Sequence, residues 1–241
     1  MYRYKLTVSY DGSDYYGMQR LNEHNSIQKT LEKSIKRMTS KEVSVFVSGR
    51  TDKGVHAKGQ VVHFDFEAKI EPKALMLGLN KRLPEDIKVV KAEIVCNTFH
   101  ARHDAKSKEY EYVISKVPSS VFSQRYEVYF PNIDVLKLKE AATLLEGTHD
   151  FGGFTLTNEL KPTQKTIYHI KVKETKTHIK IKIHGNSFLR YQVRRMIGLL
   201  VDIATNKKDI STINEVLKTK DQSLAKNTAP AKGLYLVKVY Y

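Results

Sequence analysis

The order of predicted elements constrains the fold of this 241-residue chain more than any other feature of its sequence. Apolar residues alternate with polar ones in the segments predicted as strands, and recur at helical spacing in the segments predicted as helices. In the first half the predicted strands are 3–11, 43–48, 59–66 and 87–95, and the predicted helices are 25–38 and 72–83. The resulting order, strand, helix, strand, strand, helix, strand, is that of the ferredoxin-like arrangement.

The second half repeats this order with one extra helix. Its predicted strands are 108–115, 166–174, 177–184 and 234–241, and its predicted helices are 134–146, 188–206 and 209–218. We therefore predict an α+β protein of two pseudo-symmetric ferredoxin-like (βαββαβ) halves, residues 1–104 and 105–241. The halves are expected to form one joined, mainly antiparallel sheet with helices on one face, and a cleft between them is the expected ligand site.

Two local predictions concern the helix ends. Asn25 is the expected N-cap of the first helix, and Gln28 three residues later completes a capping box. Helix 188–206 is predicted to be the longest, with Arg190 and Arg194 four residues apart on a face away from its apolar stripe.

The charge of the chain indicates a polyanionic partner. Lys and Arg number 41 against 26 Asp and Glu, which gives a formal net charge of +15. RNA, DNA and anionic membranes all attract such a surface, and the alternative is a lysine-rich surface that only aids solubility. No apolar run is as long as a membrane-spanning helix, so we expect no membrane association.

The cysteine and histidine content argues against disulfides, metals and cofactors. Cys96 is the single cysteine, which excludes an internal disulfide and fits a reducing cytoplasm, where we expect the protein to act. The nine histidines are scattered without an HExxH motif, and neither usual kind of glycine-rich phosphate loop occurs. We expect no metal and no cofactor, with His100 and His103 as phosphate-facing or surface groups.

The sequence Gly-Arg-Thr-Asp-Lys-Gly at 49–54 places one carboxylate, that of Asp52, between two glycines in the connection between two predicted strands. Glycines let a ligand approach the backbone closely, and loops often carry binding and catalytic residues. Asp52 beside Arg50 is therefore a candidate reactive carboxylate. The alternative is an ordinary turn, because Asp and Gly are common in strand connections.

Aromatic and basic residues in the second half are candidates for RNA contacts. Tyr110 and Tyr112 share one face of a predicted strand. We expect Tyr112 to be a core residue, and Tyr110 either to be core or to stack on an RNA base. For Arg190 and Arg194 the ordinary expectation is a solvated helix face. The alternative is that one of them pairs with Asp52 and keeps that carboxylate ionised and oriented.

Motifs along nearly the whole chain resemble those of the tRNA pseudouridine synthase A family. The matching segments occur in the family's order at 17–28, 49–56, 59–64, 83–84, 99–102, 108–112, 149–151, 154–155, 185–198 and 229–234. Two positions depart from the family pattern Gly-Trp-Gln-x-Gln, because Met18 replaces the Trp and Arg20 precedes Leu21 where a second Gln is expected. Both departures concern tRNA docking rather than the chemistry.

The resemblance implies an isomerase that breaks the N1–C1′ bond of a uridine in the anticodon arm of tRNA, at nucleotides 38 to 40, and rejoins the base through C5. Asp52 matches the family's catalytic aspartate, and Arg194 matches the arginine that pairs with it. Arg50 matches an arginine proposed to displace the target base, and Tyr110 matches the tyrosine that stacks on the target uracil. No metal or cofactor takes part, and a homodimer is expected. The resemblance leaves open whether Asp52 attacks C1′, attacks C6 or abstracts a 2′-proton.

Two other classes of function compete with the isomerase. A non-catalytic RNA-binding protein with two RRM-like halves would expose aromatic residues in an RNP1-type pattern, and no segment of the sequence has one. A metal-dependent nuclease needs at least two converging carboxylates, and Asp52 has no second acidic residue within its loop. The sequence therefore favours the isomerase.

Overall fold

The alternating apolar residues near the N-terminus form a strand with one buried face. In this strand, β1 (Tyr2–Tyr10), the side chains of Tyr4, Leu6 and Val8 are fully buried, while the residues between them are partly exposed. The predicted strand at 3–11 is thus confirmed. The structure, a computed structural model, describes residues 1–21, 24–156 and 162–241.

Strands and helices are interspersed along the described chain, which is a mixed α+β protein as predicted. The strands are β1, β2 (Phe46–Val47), β3 (His56–Phe66), β4 (Ile87–Val95), β5 (Ser107–Ser115), β6 (Val128–Tyr129), β7 (Gly147–Asp150), β8 (Gln164–Glu174), β9 (His178–Gly185) and β10 (Leu234–Tyr240). The helices are α1 (Ile27–Thr39), α2 (Pro72–Asn80), α3 (Val135–Thr143), α4 (Gln192–Ala204) and α5 (Thr212–Thr219), with 3₁₀ turns at Gly152–Phe154 and Ala231–Gly233. Within the described ranges, no helix is both long and apolar enough to cross a membrane.

The chain divides into two compact units, residues 1–106 with 235–241 and residues 107–234. In the first unit β1 lies between β3 and β4 and pairs antiparallel with both, and β2 also pairs antiparallel with β3. Strand β10 pairs parallel with the start of β3. The sequence division assigned residues 235–241 to the second half, whereas this pairing makes them part of the first unit.

The second unit has its own mainly antiparallel strands. Strand β9 lies between β5 and β8 and pairs antiparallel with both, and β7 pairs antiparallel with β8. Strand β6 pairs parallel with the end of β5. The short strands β6 and β7 were not predicted, so the element order of this unit is not the simple repeat of the first.

The N-cap of α1 differs from the prediction. Ser26, not Asn25, is the N-cap, and its hydroxyl accepts a hydrogen bond of 3.3 Å from the N–H three residues later. The side chain of Gln28 instead accepts a hydrogen bond of 2.9 Å from the N–H of Arg20. The predicted capping box is therefore wrong, because Ser26 is an equally good cap and directly precedes Ile27, the first buried apolar residue of the helix.

The start of α4 also differs from the prediction. The helix begins at Gln192, since the preceding Tyr191 has a φ of 63°, a left-handed conformation in which a right-handed helix does not continue. Arg190 lies before the helix, so the prediction that Arg190 and Arg194 share a helical face is wrong. With 13 residues, α4 has the same length as α1 rather than being the longest helix.

Gly59 allows β3 and β10 to approach each other closely. A Cβ atom at Gly59 would lie 2.5 Å from the carbonyl oxygen of Val237, so the backbone of one strand would have to move. We expect Gly59→Ala to reduce the free energy of unfolding by about 1–3 kcal/mol, measured by denaturant titration. The control is Gly78→Ala in α2, where the added methyl meets only the flexible end of Met38 and alanine favours the helix. Equal stability of the two variants would contradict this account.

Candidate active site

The loop that carries Asp52 connects β2 to β3, and buried polar side chains close its base. Gln60 is fully buried, and its Nε2 atom donates a hydrogen bond of 3.0 Å to the carbonyl of Gly49. The hydroxyl of Ser48, also fully buried, donates a hydrogen bond of 2.6 Å to Oε1 of Gln60. One side chain on β3 thus holds the residues at which the loop begins.

The segment before α1 braces the loop through its backbone. The N–H of Met18 donates a hydrogen bond of 3.2 Å to the carbonyl of Thr51, and the N–H of Gly54 donates one of 3.3 Å to the carbonyl of Tyr15. These two bonds lie on either side of Asp52 in the sequence. Asp52 is half-buried, so backbone contacts restrain its position while part of the residue stays accessible to solvent.

Gly17 makes this brace possible. It has a φ of 96°, and a Cβ atom there would lie 2.4 Å from the carbonyl oxygen of Thr51. Met18, which departs from the family pattern, has a fully buried side chain, and its N–H makes the hydrogen bond to the loop. The exposed Arg20, the second departure, forms an ion pair of 3.3 Å with Glu32. The substitution of Met for Trp thus leaves the hydrogen bond to the loop in place.

Tyr10 restrains the same loop through a side chain. Its hydroxyl and that of Thr51 share a hydrogen bond of 2.8 Å, and both residues are buried. Burial raises the pKa of Tyr10 to about 12, so the phenol stays protonated at neutral pH. The residue that precedes Asp52 is therefore fixed by its side chain as well as by its carbonyl.

The exposed part of the loop is basic and lies beside an aromatic pair. Arg50 is exposed two residues before Asp52, so the structure brings these two predicted site residues together in one loop. The Nζ atom of Lys53 lies 4.0 Å from the ring centroid of Tyr16, which stacks on His24 at 4.1 Å. The sequence interpretation missed this cluster, because only tertiary contacts bring its members together.

Arg194 in the second unit is held at the start of α4 by two hydrogen bonds to one residue. Its Nε atom donates to the carbonyl of Ala229 at 2.7 Å, and its own carbonyl accepts from the N–H of Ala229 at 3.0 Å. The guanidinium carbon lies 5.7 Å from the ring centroid of Tyr191. The half-buried side chain of Arg194 is therefore oriented by the chain that follows α5.

Arg195, which the sequence interpretation missed, fixes that same chain segment. Its side chain is fully buried and donates hydrogen bonds to the carbonyls of Ala225 at 2.8 Å, Thr155 at 3.0 Å and Gln222. Burial lowers the pKa of the guanidinium from its usual value, and the carbonyl oxygens compensate for the water that the cation has lost. Consecutive arginines thus have different tasks, since Arg195 anchors the segment and Arg194 is oriented by it.

The two tyrosines of β5 are both buried. Tyr112 is fully buried and its hydroxyl donates a hydrogen bond of 2.9 Å to the carbonyl of Pro230, so the prediction of a core residue is confirmed. Tyr110 is 8% exposed, and its ring meets Phe188 edge-on with 5.1 Å between centroids. Its role in stacking on a base stays a prediction.

The histidines predicted as phosphate-facing or surface groups lie on one loop. His103 is exposed and His100 is half-buried, with 4.2 Å between their ring centroids. Among the residues that the structure describes, no group of three or more His, Cys, Asp or Glu side chains is arranged to hold a metal ion.

Comparison with known proteins assigns the chain to a family. A family model described as tRNA pseudouridine synthase matches residues 6–104 and 141–241, which together are most of the chain. The chain belongs to the tRNA pseudouridine synthase family. The resemblance inferred from its motifs is thereby confirmed, and the chain is an isomerase that converts uridine to pseudouridine in tRNA.

Relatives in this family match the chain over its full length. It is 44% identical over 241 residues to tRNA pseudouridine synthase A of Phytoplasma mali (strain AT), covering 100% of this chain and 99% of that protein. It is 41% identical over 246 residues to the enzyme of that name from Ligilactobacillus salivarius (strain UCC118), covering 99% and 96%. It is 38% identical over 247 residues to that of Streptococcus pneumoniae (strain Hungary19A-6), covering 100% and 99%.

The brace on the Asp52 loop is testable at Gly17. We expect Gly17→Ala to lower the single-turnover rate of isomerisation by about tenfold or more, because the new methyl displaces the loop that carries the carboxylate. Gly78→Ala serves as the control for the same chemical change away from the loop. A Gly17→Ala enzyme with the wild-type rate would show that the brace does not matter for the chemistry.

Proposed function

We propose that this pseudouridine synthase acts on the anticodon arm of tRNA, at nucleotides 38 to 40, with Asp52 as the reactive carboxylate. The observation that carries the proposal is the half-buried Asp52 in a loop with backbone hydrogen bonds on both of its sides. The choice of nucleotides rests on the family resemblance.

The reaction is an isomerisation, so nothing is added to the tRNA. The N1–C1′ bond breaks, the base turns, C5 bonds to C1′, the proton on C5 leaves and N1 gains a proton. A carboxylate at the ribose or at C6 can serve as nucleophile, and one beside the 2′-carbon can serve as base. All three routes need Asp52 held close to the target nucleotide. The backbone hydrogen bonds that Met18 and Tyr15 make with the loop contribute to that preorganisation.

Three further residues have proposed roles in the same reaction. Arg50 is exposed on the Asp52 loop, where a long planar cation suits the proposed displacement of the target base from its stack. Extrusion of a base costs a few kcal/mol, which contacts of this kind must offset. Tyr110 is proposed to stack on the target uracil, and Arg194 to pair with Asp52. The fixed Nε of Arg194 and the edge-on contact of Tyr110 with Phe188 support these roles, because both side chains are preoriented.

Several features of the wider assembly are proposed from the resemblance. Residues 1–104, which carry the Asp52 loop, are proposed as one ferredoxin-like half, and the second proposed half, predicted as 105–241, is limited to residues 107–234 by the pairing of β10 in the first unit. We further propose a homodimer that works in the cytoplasm. The net charge of +15 supports tRNA as the partner, since each neutralised phosphate releases counterions.

Asp52→Asn tests the catalytic assignment and separates an enzyme from a non-catalytic RNA-binding protein. The amide has nearly the same shape but is neither nucleophilic nor basic, so we expect single-turnover isomerisation below about 1% of the wild-type rate. We expect tRNA binding at least as tight as that of wild type with the same salt dependence, because the change removes a negative charge. Asp14→Asn is the control, since Asp14 is an exposed carboxylate in the bracing segment. Substantial residual turnover would assign the chemistry to another group.

Tyr110 is tested by comparing two substitutions. Tyr110→Phe keeps the ring, whereas Tyr110→Ala removes it, so a stacking role predicts that alanine lowers the single-turnover rate far more than phenylalanine. The control is Tyr112→Phe, which removes only the hydrogen bond to Pro230 and is expected to affect stability more than rate. If Phe and Ala at position 110 are equally inactive, the hydroxyl rather than the ring face is what the reaction needs.

A further inference from the structure

The first unit carries an aromatic surface that the isomerisation does not use. Phe46 on β2 is 46% exposed although it is a large apolar side chain. One face of its ring stacks on His63 of β3, with 4.9 Å between centroids and an interplanar angle of 16°. The ring of His100 lies 5.9 Å away at 61°, which places it near the edge of Phe46. A ring covered on one face yet nearly half exposed presents its other face to solvent.

The buried side chain of His63 packs against the covered face of Phe46 and supports this surface. It is 1% exposed, and its Nδ1 atom accepts a hydrogen bond of 3.1 Å from the N–H of Ala101. Burial lowers the pKa of His63 to about 4, so the imidazole is neutral at physiological pH and continues to accept that bond. Residue 63 thereby ties the ring of Phe46 to the loop that begins at residue 99.

That loop places His100 near Phe46 and carries two further polar residues, Arg102 and His103. Ala101 is fully buried, and its carbonyl accepts a hydrogen bond of 2.7 Å from the hydroxyl of Tyr241. The N–H groups of Arg102 and His103 both donate to Nδ1 of His100, at 3.1 and 3.3 Å. The backbone is therefore fixed, and the side chains of Arg102 and His103 are exposed.

The charges around this surface are mixed, and Arg102 is an exposed residue within it. Asp65 is paired with Arg3 at 2.6 Å, and this hydrogen bond lowers the pKa of Asp65 from its usual value. Asp104 accepts a hydrogen bond of 2.8 Å from the N–H of His100. Asp65 is thus paired with a cation, whereas Asp104 keeps its negative charge two residues after Arg102.

A fixed aromatic face with an exposed arginine on the neighbouring loop matches the chemistry of a nucleotide. Bases stack on exposed aromatic rings with little regard to sequence, and arginine binds the flanking phosphate. We propose that Phe46, His100, Arg102 and His103, here called the Phe46 surface, bind one nucleotide of the tRNA other than the target uridine. Its base stacks on the open face of Phe46, and Arg102 contacts an adjacent phosphate.

The Phe46 surface and the Asp52 loop adjoin β3 at different residues. Phe46 is paired with His63 on β3, and the Asp52 loop joins β3 at His56, seven residues away. Phe46 also precedes Asp52 by six residues, which allows at most about 20 Å between their Cα atoms. The proposed role of the surface is docking of the tRNA, and the proposal rests on tRNA being the substrate.

Removal of the ring tests the stacking contact. Binding of an unmodified tRNA transcript is measured for wild type, Phe46→Ala, Phe46→Trp and the control Leu77→Ala, which removes another half-exposed apolar side chain. We expect Phe46→Ala to raise Kd roughly 5- to 150-fold, Phe46→Trp to keep near wild-type affinity, and Leu77→Ala to change nothing. The single-turnover rate at saturating tRNA should be the same for all four. Unchanged affinity of Phe46→Ala for tRNA would overturn the proposal. A changed sedimentation coefficient of Phe46→Ala in the absence of RNA would also overturn it, because that change would indicate that Phe46 contacts a second copy of the protein.

The phosphate contact is tested through salt dependence. Arg102→Gln should reduce the slope of log affinity against log salt by about one, whereas Arg82→Gln, which removes an exposed arginine that follows α2, should leave it unchanged. Equal effects of the two changes would indicate general attraction to RNA and contradict a defined site. These titrations need no turnover. If wild type binds tRNA but forms no pseudouridine at nucleotides 38 to 40, the proposed function fails while the Phe46 surface is still judged by binding.

Discussion

Two backbone hydrogen bonds, from Met18 to Thr51 and from Gly54 to Tyr15, restrain the backbone on both sides of Asp52. Each such bond contributes only about 1 kcal/mol to stability, yet together they connect the loop to a segment more than thirty residues earlier in the chain. The close approach of Gly17 to the carbonyl of Thr51 and the hydrogen bond between the hydroxyls of Tyr10 and Thr51 restrain the same part of the loop. Backbone and side-chain contacts therefore restrain this loop on both sides of Asp52.

Arg194 is likewise oriented by a small number of hydrogen bonds. Its Nε atom is directed by Ala229, and the segment that contains Ala229 is docked by the buried guanidinium of Arg195. Removal of Arg195 would leave three carbonyl groups without their donor in a buried region, which is costly. Arg195 thus has a structural role, and the neighbouring Arg194 is available for function.

The sequence predicted most elements correctly and missed features that depend on distant contacts. Strands β1 and β9 follow from simple alternation, because one face of each is buried. The start of α4 was wrong since Leu189 continues the apolar spacing of the helix, whereas Tyr191 breaks its backbone. No local pattern reveals a left-handed residue of this kind.

The candidate site was predictable in its chemistry but not in its support. Asp52 and Arg50 stand out in the sequence because two glycines frame them. The brace from Met18 and the stack of Phe46, His63 and His100 arise only when strands and loops far apart in the chain meet. Motif spacing identifies reactive residues, and packing decides how firmly they are held.

The most direct test is a position-resolved measurement of pseudouridine in an unmodified tRNA transcript with uridine at nucleotides 38, 39 and 40, after incubation with the purified wild-type protein. The account predicts pseudouridine at one or more of these three nucleotides and at no uridine outside the anticodon arm. Pseudouridine found only elsewhere in the tRNA, or none at all with a transcript that the protein binds, would contradict it.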